Sequence, residues 1–186
     1  GVKIAEINAQ ARNKLKRRKG IPLRDRIITR PTWLGRAGTP VAPLANLSLG
    51  LRPVRVLAEK ALGVHRDAPA PKFAGRRFSR WARDRTSPPT GRKIVYFHGC
   101  GTEYYEPWEG EKVVAILEHN GFEVVVPKQD CCGLPLQSSG LFEDARKVVL
   151  PLARALSAHL DSDDTIIVGI ATSCTRRPSI HSRIGS

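Results

Sequence analysis

Two adjacent cysteines, Cys131 and Cys132, stand in a chain of 186 residues that holds only four cysteines. The other two, Cys100 and Cys174, lie well before and well after this pair. A cysteine can be a small buried apolar residue, half of a disulfide or a metal ligand, and each role needs different surroundings. The residues around the four thiols therefore indicate which chemistry they serve.

The spacing of the thiols favours a metal cluster. No stretch resembles a secretory signal, and a disulfide between the neighbours Cys131 and Cys132 would strain the geometry that disulfides prefer. A structural zinc site usually takes cysteines in pairs two to four residues apart, and the chain has no such pair. Adjacent cysteines chelate a single ion awkwardly. A multi-iron sulfide cluster accepts them, because its ligand positions are spread over several metal atoms.

The elements that must position these thiols are three short apolar runs. The runs 93–97, 122–126 and 165–170 predict strands, and a cysteine follows each of them within a few residues. Helical patterns fill the intervals at about 107–119 and 140–160. Strands that alternate with helices predict an α/β fold with a small, Rossmann-like parallel sheet and right-handed crossovers.

The predicted topology brings the four thiols together. The carboxyl ends of parallel strands meet at one edge of a sheet, and ligands bind there. Although 30 residues separate Cys100 from Cys131 and 41 separate Cys132 from Cys174, all four follow strand ends. Isolated reduced cysteines are often only structural, but four at equivalent positions are better explained as ligands. His98, beside Cys100, is either a ligand or proton donor, or it hydrogen-bonds a loop, which is the commoner role.

The net charge of +14 lies in the first half of the chain. Residues 1–93 carry 23 Lys and Arg against 5 Asp and Glu, whereas residues 94–186 carry 8 against 12. No apolar run approaches the ~18 residues of a membrane-spanning helix. We predict a basic helical extension over 1–67, with helices near 3–18, 23–29 and 53–62, the last two separated by a Pro- and Gly-containing segment over 31–50. A linker over 68–91 would follow, and its composition, rich in Pro and Arg, predicts that it buries little apolar surface. The cysteine domain over 92–175 and a disordered tail over 176–186 would complete the chain.

Several short motifs carry a resemblance to the cysteine-rich CCG domain family. That domain occurs in heterodisulfide reductase and in the iron–sulfur subunit of anaerobic glycerol-3-phosphate dehydrogenase. In the second half the motifs are HGC at 98–100, EP at 106–107, LEHNG at 117–121, VPKQDCCGLP at 126–135 and SCT at 173–175. The basic first half is similar to the dehydrogenase's iron–sulfur subunit at 19–20, 23–25, 34–36, 43–46 and 62–63.

The resemblance implies an iron–sulfur cluster of the 4Fe–4S type, the non-cubane form included. Its ligands would be Cys100, Cys131, Cys132 and Cys174. The chain would be a non-catalytic electron-transfer subunit of an oxidoreductase complex. It would take electrons from a flavoprotein dehydrogenase subunit and pass them toward a membrane quinone or a similar acceptor. The resemblance also implies a cytoplasmic protein that lies peripherally on the inner face of the cell membrane.

The sequence departs from the family at its end. The fuller motif places a second cysteine three residues after the last one, and Arg177 stands there instead. Ferredoxin-type cysteine repeats and a second CCG repeat, which related subunits carry, are not in this sequence. These differences lead us to expect a truncated or frame-shifted product.

A basic nucleic-acid-binding module with structural cysteines is the alternative function. Arginines between 76 and 85 are interleaved with Phe73, Phe78 and Trp81, a mixture that single-strand binders use for stacking. The same composition suits an amphipathic segment on an anionic lipid surface. The resemblance favours the lipid surface and makes nucleic acid the less favoured partner.

Overall fold

A computed structural model describes residues 3–87, 92–160 and 165–170 of the chain. The described residues of its second half form three strands, β1 at Lys93–Phe97, β2 at Glu123–Val125 and β3 at Ile166–Gly169. They form one parallel sheet in the order β2-β1-β3, in which Ile94 pairs with both Val124 and Ile166. The predicted α/β fold with a small parallel sheet behind a helical first half is confirmed.

Helices connect the strands and cover both faces of the sheet. Between β1 and β2 lie α7 (Gly99–Tyr104) and α8 (Pro107–His119), and between β2 and β3 lie α9 (Leu134–Ser138) and α10 (Phe142–Ser157). Side chains of β1 alternate between two cores, because successive strand residues point to opposite faces. Tyr96 packs with Val114 on one face. Val95 and Phe97 pack with Leu152 and Leu156 on the other.

The first half is more helical than the sequence indicated. It contains α1 (Ile4–Lys19), α2 (Leu23–Ile28), α3 (Pro31–Gly38), a 3₁₀ turn (Thr39–Val41), α4 (Ala42–Gly50) and α5 (Arg52–Leu62). Prediction of the segment 31–50 as a Pro- and Gly-containing separator was wrong. Pro31, Pro40 and Pro43 each stand in the first turn of a helical element. Proline is tolerated there because the amide that it lacks would have no partner within the helix.

Part of the predicted linker belongs to the core. Helix α6 (Phe78–Arg83) lies inside the segment 68–91, and Phe78 is 0% exposed in the same core as Tyr96. The Trp81 ring lies 5.4 Å from the Phe78 ring, and the Phe73 ring lies 5.4 Å from that of Tyr105. These contacts contradict the expectation that this segment buries little apolar surface. Of the aromatic residues proposed for stacking on bases or lipid, Phe78 is buried, and Phe73 and Trp81 are half-buried against other rings.

The basic first half is attached to the sheet domain by hydrogen bonds to backbone carbonyls. Arg12 donates to the carbonyl of Ser138 at 2.9 Å, and the side-chain amide of Asn13 donates to the carbonyl of Gly140 at 2.6 Å. A salt bridge of 2.6 Å joins Arg30 to Asp144 of α10. None of the helices in the described ranges has the length and apolar character that a membrane crossing requires.

Candidate functional site

Three of the four predicted ligands lie at the carboxyl ends of two neighbouring strands. Cys100 is in the first turn of α7, directly after β1, and Cys131 and Cys132 lie between β2 and α9. Cys131 is buried, whereas Cys100 and Cys132 are partly accessible. Cys174, and with it the predicted disordered tail 176–186, lies outside the described residues. Its place beside the other three thiols therefore stays a prediction.

The three described thiols contact one another through Cys131. The Cys131 side chain interacts with the side chains of both Cys100 and Cys132. The hydrogen bond from Cys131 lowers the pKa of Cys100, with further help from nearby backbone amides. The interactions with the Cys100 and Cys132 side chains, together with burial, raise the pKa of Cys131. The site therefore favours a thiolate at position 100, which is the form that binds metals.

Gln129 ties the two cysteine-bearing loops to each other. Its amide nitrogen donates to the carbonyl of Tyr96 at 2.9 Å, and its amide oxygen accepts from the backbone N–H of His98 at 3.0 Å. The Gln129 side chain of the β2–α9 loop thus hydrogen-bonds the backbone on both sides of Phe97, the last residue of β1. Sequence reasoning gave Gln129 no role, although it stands two residues before the cysteine pair.

Asp130 and Arg36 hold the backbone at the start of the cysteine pair. One carboxylate oxygen of Asp130 accepts from the backbone N–H of Cys131 at 2.8 Å. The other oxygen lies 3.1 Å from Arg36 of α3. Arg36 also hydrogen-bonds Tyr104, whose ring packs so closely on Gly35 that a Cβ at Gly35 would lie 2.2 Å from it. Helix α3 therefore forms one wall of the site, which no sequence motif indicated.

His98 is buried, and contacts with its neighbours fix its ring. The residue is 4% exposed, its ring lies 4.9 Å from the Phe78 ring, and its Nδ1–H donates to the carbonyl of Gly99 at 2.9 Å. Burial lowers the pKa of His98. Its Nε2 lies 3.8 Å from the carboxylate of Glu103, which accepts hydrogen bonds from the backbone and side chain of Ser79. These contacts match the commoner of its two predicted roles, a histidine that hydrogen-bonds a loop.

Comparison with known proteins identifies the second half of the chain. Residues 94–177 match the cysteine-rich domain family, CCG. This match confirms the resemblance that the cysteine motifs indicated. The matched segment contains the three described thiols, Gln129 and Asp130.

The whole chain has similar relatives among curated proteins. It is 29% identical, over 94% of its length, to a subunit of anaerobic glycerol-3-phosphate dehydrogenase from Escherichia coli strain K12. It is 33% identical to the lactate utilization protein A of Exiguobacterium over 44% of its length, and 33% identical to that of Bacillus subtilis over 45%. The chain spans 44% of the Escherichia coli protein and about a third of the lactate utilization proteins. No solved structure matches the chain significantly.

The described residues contain no group of three or more His, Cys, Asp or Glu placed to hold one metal ion. The side chains of Cys100 and Cys132 both interact with that of Cys131.

Proposed function

We propose that this protein is an iron–sulfur electron-transfer subunit, and that Cys100, Cys131, Cys132 and Cys174 are the cluster ligands. The observation that carries the proposal is the contact of three thiols from two strand ends within a segment that matches the cysteine-rich domain family. The similarity to a subunit of anaerobic glycerol-3-phosphate dehydrogenase supports an oxidoreductase complex as the setting.

The chemistry of the site fits an iron–sulfur cluster. Thiolates are the ligands that such clusters take, and the surroundings of Cys100 lower its pKa. The backbone N–H of Gly133 points at the Cys131 sulfur from 3.4 Å. Amides directed at ligand sulfurs tune the potential of a cluster. When bound, the cluster would supply one-electron transfer, with the 4Fe–4S type, non-cubane forms included, as the proposed form.

The residues around the thiols hold the site rigid. Gln129 keeps the two strand ends at a fixed separation, and Asp130 fixes the peptide that precedes the Cys131 side chain. Preorganisation of this kind reduces the rearrangement that accompanies a change of charge at the site. Electron transfer does not require any of these residues to donate a proton to a substrate. The proposed role of the chain is therefore to relay electrons without turning over a substrate.

The proposed partner is a flavoprotein dehydrogenase subunit, from which electrons would pass toward a membrane quinone or a similar acceptor. The name of the Escherichia coli relative, a dehydrogenase subunit, supports such an assembly. The basic first half supports a location beside an anionic lipid surface, on the cytoplasmic face of the membrane.

The proposal is tested by anaerobic purification followed by iron and acid-labile sulfide assays. We expect both elements in the wild-type protein, together with a broad visible absorption band. Replacement Cys132→Ser should abolish most of the iron content while far-ultraviolet circular dichroism stays unchanged, because Cys132 is partly accessible and the change removes a single sulfur.

Tyr105→Phe is the matched control, because Tyr105 lies near Cys100 but offers no thiol. This variant should keep its iron. Equal iron in the Cys132→Ser and Tyr105→Phe proteins would contradict the ligand assignment. Absence of iron from the wild-type protein, together with salt-sensitive binding of DNA or RNA, would instead favour the nucleic-acid-binding module with structural cysteines.

A further inference from the structure

A second site lies in the helical half, away from the thiols. A cleft of about 600 Å³ opens between the 3₁₀ turn after α3 and the segment that leads into α6. Thr39 and Pro40 line one side of this cleft. The other side is lined by residues 75–77, 79–80 and 83–84. A cleft of this volume accommodates a small molecule.

The cleft is strongly cationic. Its lining residues include one carboxylate, that of Asp84, and four arginines: Arg76, Arg77, Arg80 and Arg83. Arg76 is paired with Glu111 at 2.6 Å, and Arg77 lies over the Tyr104 ring. Among the residues that the structure describes, no carboxylate forms a salt bridge with the remaining two arginines. Their guanidinium groups are available to an anion.

We propose that this cleft binds a phosphate group. Arginine forks match the oxygen atoms of a phosphate in pairs. Nothing in the comparisons assigns a ligand to this region, and the proposal does not depend on the presence of a cluster. The phosphate could belong to a soluble phosphate ester or to a lipid headgroup, since both present the same oxygen atoms.

The cleft is connected to the cysteine-bearing helix by Ser79. Its backbone N–H and its hydroxyl both donate to the Glu103 carboxylate of α7, at 2.9 and 2.6 Å. Ser79 lines the cleft, and Glu103 lies three residues after Cys100 on α7. A bound phosphate would therefore lie close to the thiol site without contacting the thiols.

Calorimetric titration of the full-length chain with inorganic phosphate tests the proposal, at an ionic strength held constant with sodium chloride. Arg80→Gln/Arg83→Gln should weaken phosphate binding by tenfold or more. Both arginines are exposed, so the double variant should keep its fold.

The matched control is Arg18→Gln/Arg52→Gln, which removes the same charge from exposed positions outside the cleft. It should bind phosphate within twofold of the wild-type protein. Phosphate should also raise the melting temperature of the wild-type and control proteins but not that of the Arg80→Gln/Arg83→Gln protein. Equal affinities in all three proteins, or no phosphate binding by the wild-type protein, would overturn the proposal.

Sedimentation with vesicles separates the two sources of the phosphate. Vesicles that contain phosphatidic acid are compared with vesicles of phosphatidylcholine alone. Sedimentation of the wild-type but not of the Arg80→Gln/Arg83→Gln protein with phosphatidic acid would identify a lipid headgroup. Phosphate binding without sedimentation would identify a soluble phosphate ester. Either result supports the site, provided that the calorimetric difference between the variants is present.

Discussion

Gly133 shows at the scale of one residue how the cysteine pair is shaped. Its φ of +74° lies in the left-handed region, where a side chain is strained, and it begins α9 directly after the two thiols. An added Cβ would lie 2.9 Å from Val149 Cγ2 and 3.2 Å from the carbonyl oxygen of Ala145. Only glycine lets the chain turn here against α10 while its N–H faces the Cys131 sulfur.

Gly133→Ala should therefore destabilise the protein. The left-handed conformation alone costs roughly 1–2 kcal/mol for a residue with a side chain, and the contact with Val149 adds to that cost. Urea unfolding followed by circular dichroism measures the change in the free energy of unfolding.

The control for this prediction is Gly101→Ala, one residue after Cys100. A Cβ there would meet nothing within 4 Å, and alanine is preferred over glycine inside a helix. Its stability should be unchanged or slightly higher. A Gly133→Ala protein as stable as the Gly101→Ala protein would contradict this account of the turn.

At the scale of elements, α8, β2 and the segment after α6 are joined by one partly buried carboxylate. Glu118 accepts hydrogen bonds from both terminal nitrogens of Arg85 and, at 2.7 Å, from the hydroxyl of Ser87. The Ser87 hydroxyl in turn accepts from the backbone N–H of Val124 at 2.9 Å. The Arg85 guanidinium also lies 4.8 Å from the centre of the Trp81 ring. This network fixes the end of the predicted linker to the sheet.

Glu118→Gln should lower the free energy of unfolding at pH 7 by about 1–3 kcal/mol, the usual worth of hydrogen bonds to a charged group. The hydrogen bond from Arg85 lowers the pKa of Glu118 below its ordinary value of about 4.3. The carboxylate therefore stabilises the fold above that pH, and its contribution is lost as the pH falls through the lowered pKa. The difference between wild type and variant should shrink correspondingly below about pH 4.

Unfolding curves recorded between pH 3 and pH 7 check this prediction. Glu106→Gln is the control, because Glu106 is exposed and its side chain makes no hydrogen bond or salt bridge within the described residues. Its stability should follow that of the wild-type protein at each pH. A gap between the Glu118→Gln and wild-type proteins that is equally large at pH 3 and pH 7 would refute the assignment.

At the scale of the whole molecule, the basic half and the cysteine domain meet along the turn between α9 and α10. Gly140 has a φ of +77°, and a Cβ there would lie 2.5 Å from the backbone nitrogen of Asn13 and 2.6 Å from the carbonyl oxygen of Ala9. Helix α1 therefore rests directly on the backbone of the cysteine domain. The strongly basic half is thus held against the domain that carries the thiols, despite the contrast in charge between the two halves of the chain.

Gly140→Ala should push α1 away from the domain. We expect a lower melting temperature and several-fold faster trypsin cleavage among the Lys and Arg residues of α1, because a displaced helix opens locally more often. Native-state proteolysis with identification of the cleaved bonds provides the measurement.

Gly121→Ala is a close control for this substitution. Gly121 has a φ of +80°, but a Cβ there would meet nothing within 4 Å. Both variants carry the same backbone strain, and only Gly140→Ala collides with α1. Equal rates of cleavage in α1 for the two variants would show that the contact does not hold the helix in place.

The sequence by itself determined the parallel sheet and the placement of three thiols at its edge. Apolar runs set the strands, the intervening helical periods required crossovers, and crossovers made the strands parallel.

Side chains distant in sequence could not be placed in this way. Arg36 next to Asp130 and Phe78 in the core beside Tyr96 depend on how separate elements pack. Because of their composition, the segment 31–50 was predicted to be a separator and the segment 68–91 a linker. In the structure, prolines begin helices in the first segment, and Phe78 of the second segment is buried. The local sequence pattern determines local conformation. Only the tertiary structure decided the wall of the thiol site and the cationic cleft, because the wall and the cleft both arise from contacts between residues far apart in the chain.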